Sequence, residues 1–206
     1  MRHSNRLFTI TGLIGGFLLA GAASRGEENA LQVEDSVPDF KCLDDQGQIW
    51  DSRDHVGKKL VVVYFYPSDF AFCCTRQAVR YRDAQRALAA HGVEVVGISG
   101  DAVAAHRMFK ETHRLNCALL ADFEGNVARK FGVPLRAGGK AMVKDADGKE
   151  VVDADGAAIK VRRDFTAERW TFVIGKDGRI IYRESAVSPV KDSQEVLEFL
   201  CEYSAN

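Results

Sequence analysis

Hydrophobic positions along this chain gather into short runs separated by glycines and charged turns. Lys58 to Tyr66 (Lys-Lys-Leu-Val-Val-Val-Tyr-Phe-Tyr) is almost continuously β-branched and aromatic, which predicts a strand buried on both faces and central in a sheet. Thr75 to His91 is rich in Arg, Ala, Gln and Leu, carries apolar residues at Ala78, Tyr81, Ala84 and Leu88, and is followed by Gly92. That spacing predicts a helix with a glycine stop. Val93 to Ser99 returns to strand character, Asp101 is placed to cap a second helix reaching about His113, and Ala118 to Ala121 is a short strand. Further on, Arg169 to Gly175 and Arg179 to Glu184 are strands joined by Lys176-Asp177-Gly178, a hairpin signal, and Val190 to Tyr203 is a closing helix.

The β-α-β-α-β order requires crossover connections and parallel pairing. Three parallel strands followed by an antiparallel hairpin and a helix describe a thioredoxin-like α/β domain, a central mixed sheet flanked by helices, over residues 33–206. Between Pro134 and Thr166 lies a charged segment with Asp145-Ala-Asp-Gly148 and Asp153-Ala-Asp-Gly156. Lys149 stands where a calcium loop needs an acid or Asn, so these read as two Asp-Gly turns of a hairpin insertion.

The N-terminus departs from this pattern. Arg2 and Arg6 precede an apolar run of 14 residues from Leu7 to Ala20, and Ala20-Gly21-Ala22 supplies small residues for cleavage. Residues 1–22 therefore read as a secretory signal peptide, with 23–32 as a flexible lead-in. A helix of that run is about 21 Å long against a hydrocarbon core of roughly 30 Å, which makes an uncleaved membrane anchor the weaker alternative. Export places the mature protein in an oxidising periplasmic or extracellular compartment. Cleavage at that point leaves 26 basic against 29 acidic groups, a balance that argues against nucleic acid or a polybasic membrane patch as partner.

Chemistry concentrates in Tyr66-Pro67-Ser68-Asp69-Phe70-Ala71-Phe72-Cys73-Cys74-Thr75-Arg76-Gln77, where the buried strand runs into the helix. A cysteine in the first helical turn sits beside backbone N–H groups and the positive end of the helix dipole, and both favour the thiolate. The alternative is that Cys73 and Cys74 are small buried hydrophobes. Five cysteines are too few for a disulfide scaffold, and no Cys-x-x-Cys is present for a disulfide reductase. Of the histidines, His106 and His113 read as solvent-facing helix residues, and no pair has the spacing of a helical metal site, so no metal or cofactor is expected.

Phe65-Tyr66-Pro67, with Cys74 seven residues after the proline, resembles the active-site loop of the peroxiredoxins, Pro-x-x-x-Thr/Ser-x-x-Cys. Val37-Pro38-Asp39-Phe40, Gly97-Ile98-Ser99, Leu119-Leu120-Ala121-Asp122 and Arg169-Trp170-Thr171-Phe172-Val173-Ile174 are similar to further family segments, in order, from about Val33 to Tyr203. The Tyr-Phe-Tyr-Pro strand end and Cys-Thr helix start resemble the bacterioferritin-comigratory or Q-type branch. The resemblance implies a peroxidase in which Cys74 attacks a hydrogen or organic hydroperoxide and becomes a sulfenic acid. Arg169 would lower the Cys74 pKa and bind the peroxide oxygens, and Pro67 would shape and shield the loop. A thioredoxin-like protein or small thiol would be the reductant, and the protein a monomer or homodimer.

Three positions depart from the family pattern. Ala71 replaces the Thr or Ser whose hydroxyl would orient peroxide, which implies weakened peroxidase activity. Val79 and Lys110 occupy the two places where a resolving cysteine is found. Cys117 and Cys201 read as packing residues and Cys42 as a strand residue, which favours a one-cysteine mechanism with these three as alternative resolving thiols. Cys73 stands where the group often has glycine. Against the enzyme stands a thioredoxin-fold redox sensor or binding protein in which Ala71 marks lost catalysis.

Overall fold

The computed structural model describes residues 29–204, so the expected signal peptide lies outside the described residues. The centre is a seven-stranded sheet in the order β2-β1-β5-β4-β3-β8-β9, built from β1 (Lys41–Asp44), β2 (Ile49–Asp51), β3 (Leu60–Phe65), β4 (Val93–Ser99), β5 (Ala118–Ala121), β8 (Trp170–Ile174) and β9 (Ile180–Glu184). The strands β3, β4 and β5 are parallel, as their crossover helices require, and β8 and β9 add an antiparallel hairpin on the other side of β3. All six residues of β3 are buried. Its side chains alternate between two cores, Val61, Val63 and Phe65 on one face and Val62 and Tyr64 on the other, which is why the run had to be apolar at every position.

Three helices, α1 (Phe72–Ala90), α2 (Val103–His113) and α4 (Asp192–Tyr203), share the Val62/Tyr64 face. The opposite face packs on α3 (Asn126–Phe131), a six-residue helix with no separate sequence signal, and on Ala30. Within the expected lead-in, residues 29–32 are described, and they pack on the domain, with Ala30 buried. Leu31 N–H donates to the Phe131 carbonyl at 3.1 Å, and Gly132, where a Cβ would fall 2.3 Å from the Ala30 Cα, leaves the room for this docking.

The second helix starts at Val103 with Ala102 as its uncapped N-cap, one residue past the expected Asp101. Asp101 is buried, and its carboxylate accepts instead from the Asp69 N–H at 2.9 Å and the Ser99 hydroxyl at 2.8 Å. The insertion is the antiparallel hairpin β6 (Leu135–Met142) and β7 (Lys160–Ala167). Asp145 and Asp153 each close a turn by accepting backbone N–H groups, with Gly148 and Gly156 at positive φ, so both Asp-Gly repeats are turns.

Candidate active site

Helix α1 begins at Phe72, three residues before the sequence pattern suggested, and Cys74 is therefore in its first turn. The thiol is buried, and the Arg169 guanidinium, immediately before β8, donates to its sulfur through Nη2 at 3.2 Å. The register Phe65↔Trp170 between β3 and β8 brings this arginine to the loop that leaves β3. The Ser68 backbone N–H also donates to the sulfur. Burial pushes the Cys74 thiol up, while the charge and hydrogen bond of Arg169 and the Ser68 amide pull it back. The balance stays above the ordinary thiol value, so Arg169 limits the cost of ionising a buried sulfur rather than producing the net lowering expected of it.

Pro67 is half-buried and lines, with Arg169, a cleft of about 370 Å³ that also includes Arg136, Thr166, Ala186 and Val187. Ala71 is the N-cap of α1 and makes no side-chain cap bond. Its missing hydroxyl thus has a structural cost beside the chemical one. Ala71→Thr is expected to raise stability by about 1 kcal/mol, read as a higher urea midpoint at unchanged slope. The two phenylalanines differ: Phe70 is buried against Phe109 and His113, whereas Phe72 is 74% exposed under the Arg76 guanidinium.

The loop rests on a buried polar cluster that sequence reasoning missed. His106 and His113 are buried, not solvated. The Asp69 carboxylate meets His106 Nδ1 at 2.8 Å and accepts from the Tyr66 hydroxyl at 2.8 Å. Burial opposes charge on His106, but the Asp69 carboxylate outweighs it and holds the imidazole above its ordinary value. Burial and the neighbouring Asp69 push Asp101 up to about 6.

The insertion closes over this cluster. Arg163 on β7 donates through Nη1 to the Ser68 hydroxyl at 2.7 Å and stands 3.9 Å from Asp101. Gly100 lets the hairpin approach, since a Cβ there would lie 2.9 Å from the Phe165 carbonyl oxygen. Between Asp69 and Ala71, Phe70 is held at φ +59, a left-handed conformation that a bulky residue adopts only under restraint. Arg163→Ala removes the charged hydrogen bond to Ser68 and the 3.9 Å ion pair with Asp101. The expected loss is about 2 kcal/mol of stability, with faster amide exchange over residues 68–71 measured by mass spectrometry.

The other cysteines are dispersed, and all five are free thiols. Cys42 on β1 belongs to the core on the opposite sheet face, and burial followed by Asp122 pushes its thiol up to about 12. Cys117 is in the Cys74 core, 3.8 Å from the Tyr64 hydroxyl. Cys201 is exposed on α4 rather than packed, 3.8 Å from His91. His91 caps the far end of α1, about 25 Å along the helix from Cys74 at 1.5 Å per residue. Cys73 is exposed beside Cys74.

Arg169 is itself held. Its Nη1 donates to the Gln77 side-chain oxygen, and Gln77 lies one helical turn after Cys74 on the same face of α1. That spacing was the one available sequence signal for Gln77.

Comparison with known proteins agrees with this geometry. The AhpC/TSA family model matches residues 33–183. Peroxiredoxin Bcp of Bacillus subtilis is 30% identical over 174 residues, covering 84% of this chain and 98% of that protein. A chloroplastic peroxiredoxin Q of Oryza sativa subsp. japonica is 39% identical over 118 residues, 57% of this chain, and the aligned stretch spans 50% of the rice protein. The crystal structure of peroxidoxin BcpB from Mycobacterium tuberculosis superposes with a TM-score of 0.66 at 28% identity, covering 84% of this chain and 97% of that one. With a buried cysteine and an arginine meeting at the start of α1 on a thioredoxin-like sheet, the chain belongs to the AhpC/TSA family, on the peroxiredoxin branch that includes Bcp and peroxiredoxin Q.

Proposed function

We propose that Cys74 carries the thiol-dependent peroxide reduction of this peroxiredoxin, with Arg169 as its electrostatic partner. The single observation behind the assignment is the 3.2 Å approach of Arg169 Nη2 to the Cys74 sulfur. The thiolate attacks the terminal oxygen of the hydroperoxide, forming an S–O bond as the O–O bond breaks. The electron pair of that bond leaves on the distal oxygen, which takes a proton from solvent to give water or an alcohol. The sulfur is oxidised to sulfenic acid and the peroxide reduced. Arg169 lies where it can donate to the oxygens as charge builds on the leaving one.

A thiol from outside the chain then attacks the sulfenic sulfur and expels water, and a second thiol releases Cys74 from the mixed disulfide. This one-cysteine course is favoured by the placement of Cys42 in the core on the opposite sheet face and of Cys201 beside His91 at the far end of α1. Export directed by residues 1–22 belongs to the same proposal, and the mass of the mature protein recovered from the source cell tests it. Stopped-flow mixing of reduced protein with hydrogen peroxide and an alkyl hydroperoxide, followed by intact mass, tests the chemistry. Gain of one oxygen supports the one-cysteine course, and loss of two hydrogens identifies a resolving thiol. A rate no faster than that of an exposed cysteine would return the site to the binding or sensing reading. Because the hydroxyl at position 71 is absent, Ala71→Thr is expected to react about ten times faster in the same assay.

A further inference from the structure

Behind Arg169 lies a buried carboxylate for which the reaction as described has no use. Asp192, the first residue of α4, is fully buried. One oxygen, Oδ2, accepts from Gln77 Nε2 at 2.6 Å, from the Tyr81 hydroxyl at 2.8 Å and from the Thr171 hydroxyl at 3.0 Å. The other, Oδ1, is buried with no hydrogen-bond partner among the described residues. Burial pushes the Asp192 carboxyl up, against the pull of the same three donors. A buried carboxylate with one oxygen unsatisfied is costly, and an apolar side chain of similar size would pack there at less cost.

The arrangement has a directional consequence. A carboxylate only accepts and a guanidinium only donates, whereas the Gln77 amide has one end of each kind. Asp192 takes the amide NH2, so the amide oxygen must face Arg169, where it accepts from Nη1. With that nitrogen engaged, Nη2 is directed at the Cys74 sulfur. Without Asp192 nothing holds the amide NH2 on its far side, so the Gln77 side chain loses its fixed orientation and Arg169 loses the anchored acceptor that directs Nη2 at the thiolate.

We propose that Asp192 is a positioning residue that fixes the orientation of the Gln77 amide and thereby aims Arg169 at Cys74. The proposal rests on Cys74 and Arg169 being the reacting pair, but its test does not need peroxidase activity. In full-length protein carrying Cys73→Ser, the pH dependence of iodoacetamide alkylation of Cys74, read by peptide mass, reports thiolate formation directly. Asp192→Ala is expected to move the alkylation midpoint up by about one pH unit and to slow the reaction with hydrogen peroxide about tenfold. Asp192→Asn, whose side-chain oxygen can still accept from Gln77, is expected to restore both to within about threefold. Tyr81→Phe and Thr171→Val each remove a donor to Asp192 without breaking the Gln77 link, so they are expected to lower stability and leave the midpoint alone.

An Asp192→Ala midpoint equal to the parent's overturns the proposal. So does an equal shift in Tyr81→Phe and Thr171→Val, which would mean that general loosening of the cluster is responsible, or an Asp192→Asn midpoint as high as that of Asp192→Ala. Should Asp192→Ala not fold, Gln77→Leu cuts the same link one residue nearer the sulfur, and an unchanged midpoint there is equally fatal. A midpoint that responds in a protein inert to peroxide would support the positioning role while removing the peroxidase assignment.

Discussion

Cys74→Ser is expected to fold as the parent does and to lose its rapid reaction with peroxide entirely. The substitution exchanges one small side chain for another at the third position of α1, and a serine hydroxyl can still accept from Arg169. What it cannot do is ionise at neutral pH or give its electrons to a peroxide oxygen. Cys73 stays behind as an internal control, an exposed thiol one residue away to which no arginine among the described residues is hydrogen-bonded. If position at the start of α1 were enough, Cys73 would sustain part of the activity. If the buried meeting with Arg169 is what matters, the residual rate falls to that of an ordinary exposed thiol. Intact mass after one equivalent of peroxide would then show no oxygen gained. A variant that keeps more than about a tenth of the parent rate would show that the reacting sulfur is not Cys74.

The difference between the two neighbouring cysteines also marks what could be read from sequence. The strand β3 was legible because a strand buried on both faces leaves a continuous apolar run, and α1 because Ala78, Tyr81 and Leu88 recur on its inner face. Cys74 and Arg169 were singled out by family resemblance, not by any pattern of burial, and the fold then brought them together across 95 residues of chain. What was not legible is the polar architecture around them. Asp69 and His106 are 37 residues apart, Arg163 and Ser68 95, and Gln77 and Asp192 115. Hydropathy assigns such residues to the surface, since charged and amide side chains are seldom fully buried unless paired, and the partner is invisible until the chain is folded. The same blindness gave Asp101 a capping role and turned His106 and His113 toward solvent. The place of residues 134–166 against the active-site loop was hidden for a related reason: the arginine that ties the hairpin to that loop differs in no local way from the exposed Arg162 beside it.

Arg169→Met is expected to slow the reaction of Cys74 with hydrogen peroxide by about 10²- to 10³-fold, the cost typical of removing one aimed donor from a developing anion. Two effects add here, and they separate by experiment. The first acts on the free enzyme. Burial already pushes the Cys74 thiol up, and Arg169 is the principal group pulling it down, so its removal raises the thiol further and moves the alkylation midpoint to higher pH. At pH values above the new midpoint this part of the defect is recovered, because the thiolate is then fully formed. The second acts only as the O–O bond breaks, when negative charge moves onto the leaving oxygen beside the vacated guanidinium position. No rise in pH restores that donor. The rate of the variant should therefore climb with pH and level off well below the parent's plateau. A plateau equal to the parent's would confine Arg169 to ionising the thiol. Methionine is the informative replacement because it fills much of the same space in the half-buried site, while leaving the Gln77 amide oxygen without its donor. Arg169→Lys retains the charge but cannot reach Gln77 and Cys74 with two forked nitrogens at once, so it is expected to recover most of the alkylation midpoint and only part of the peroxide plateau.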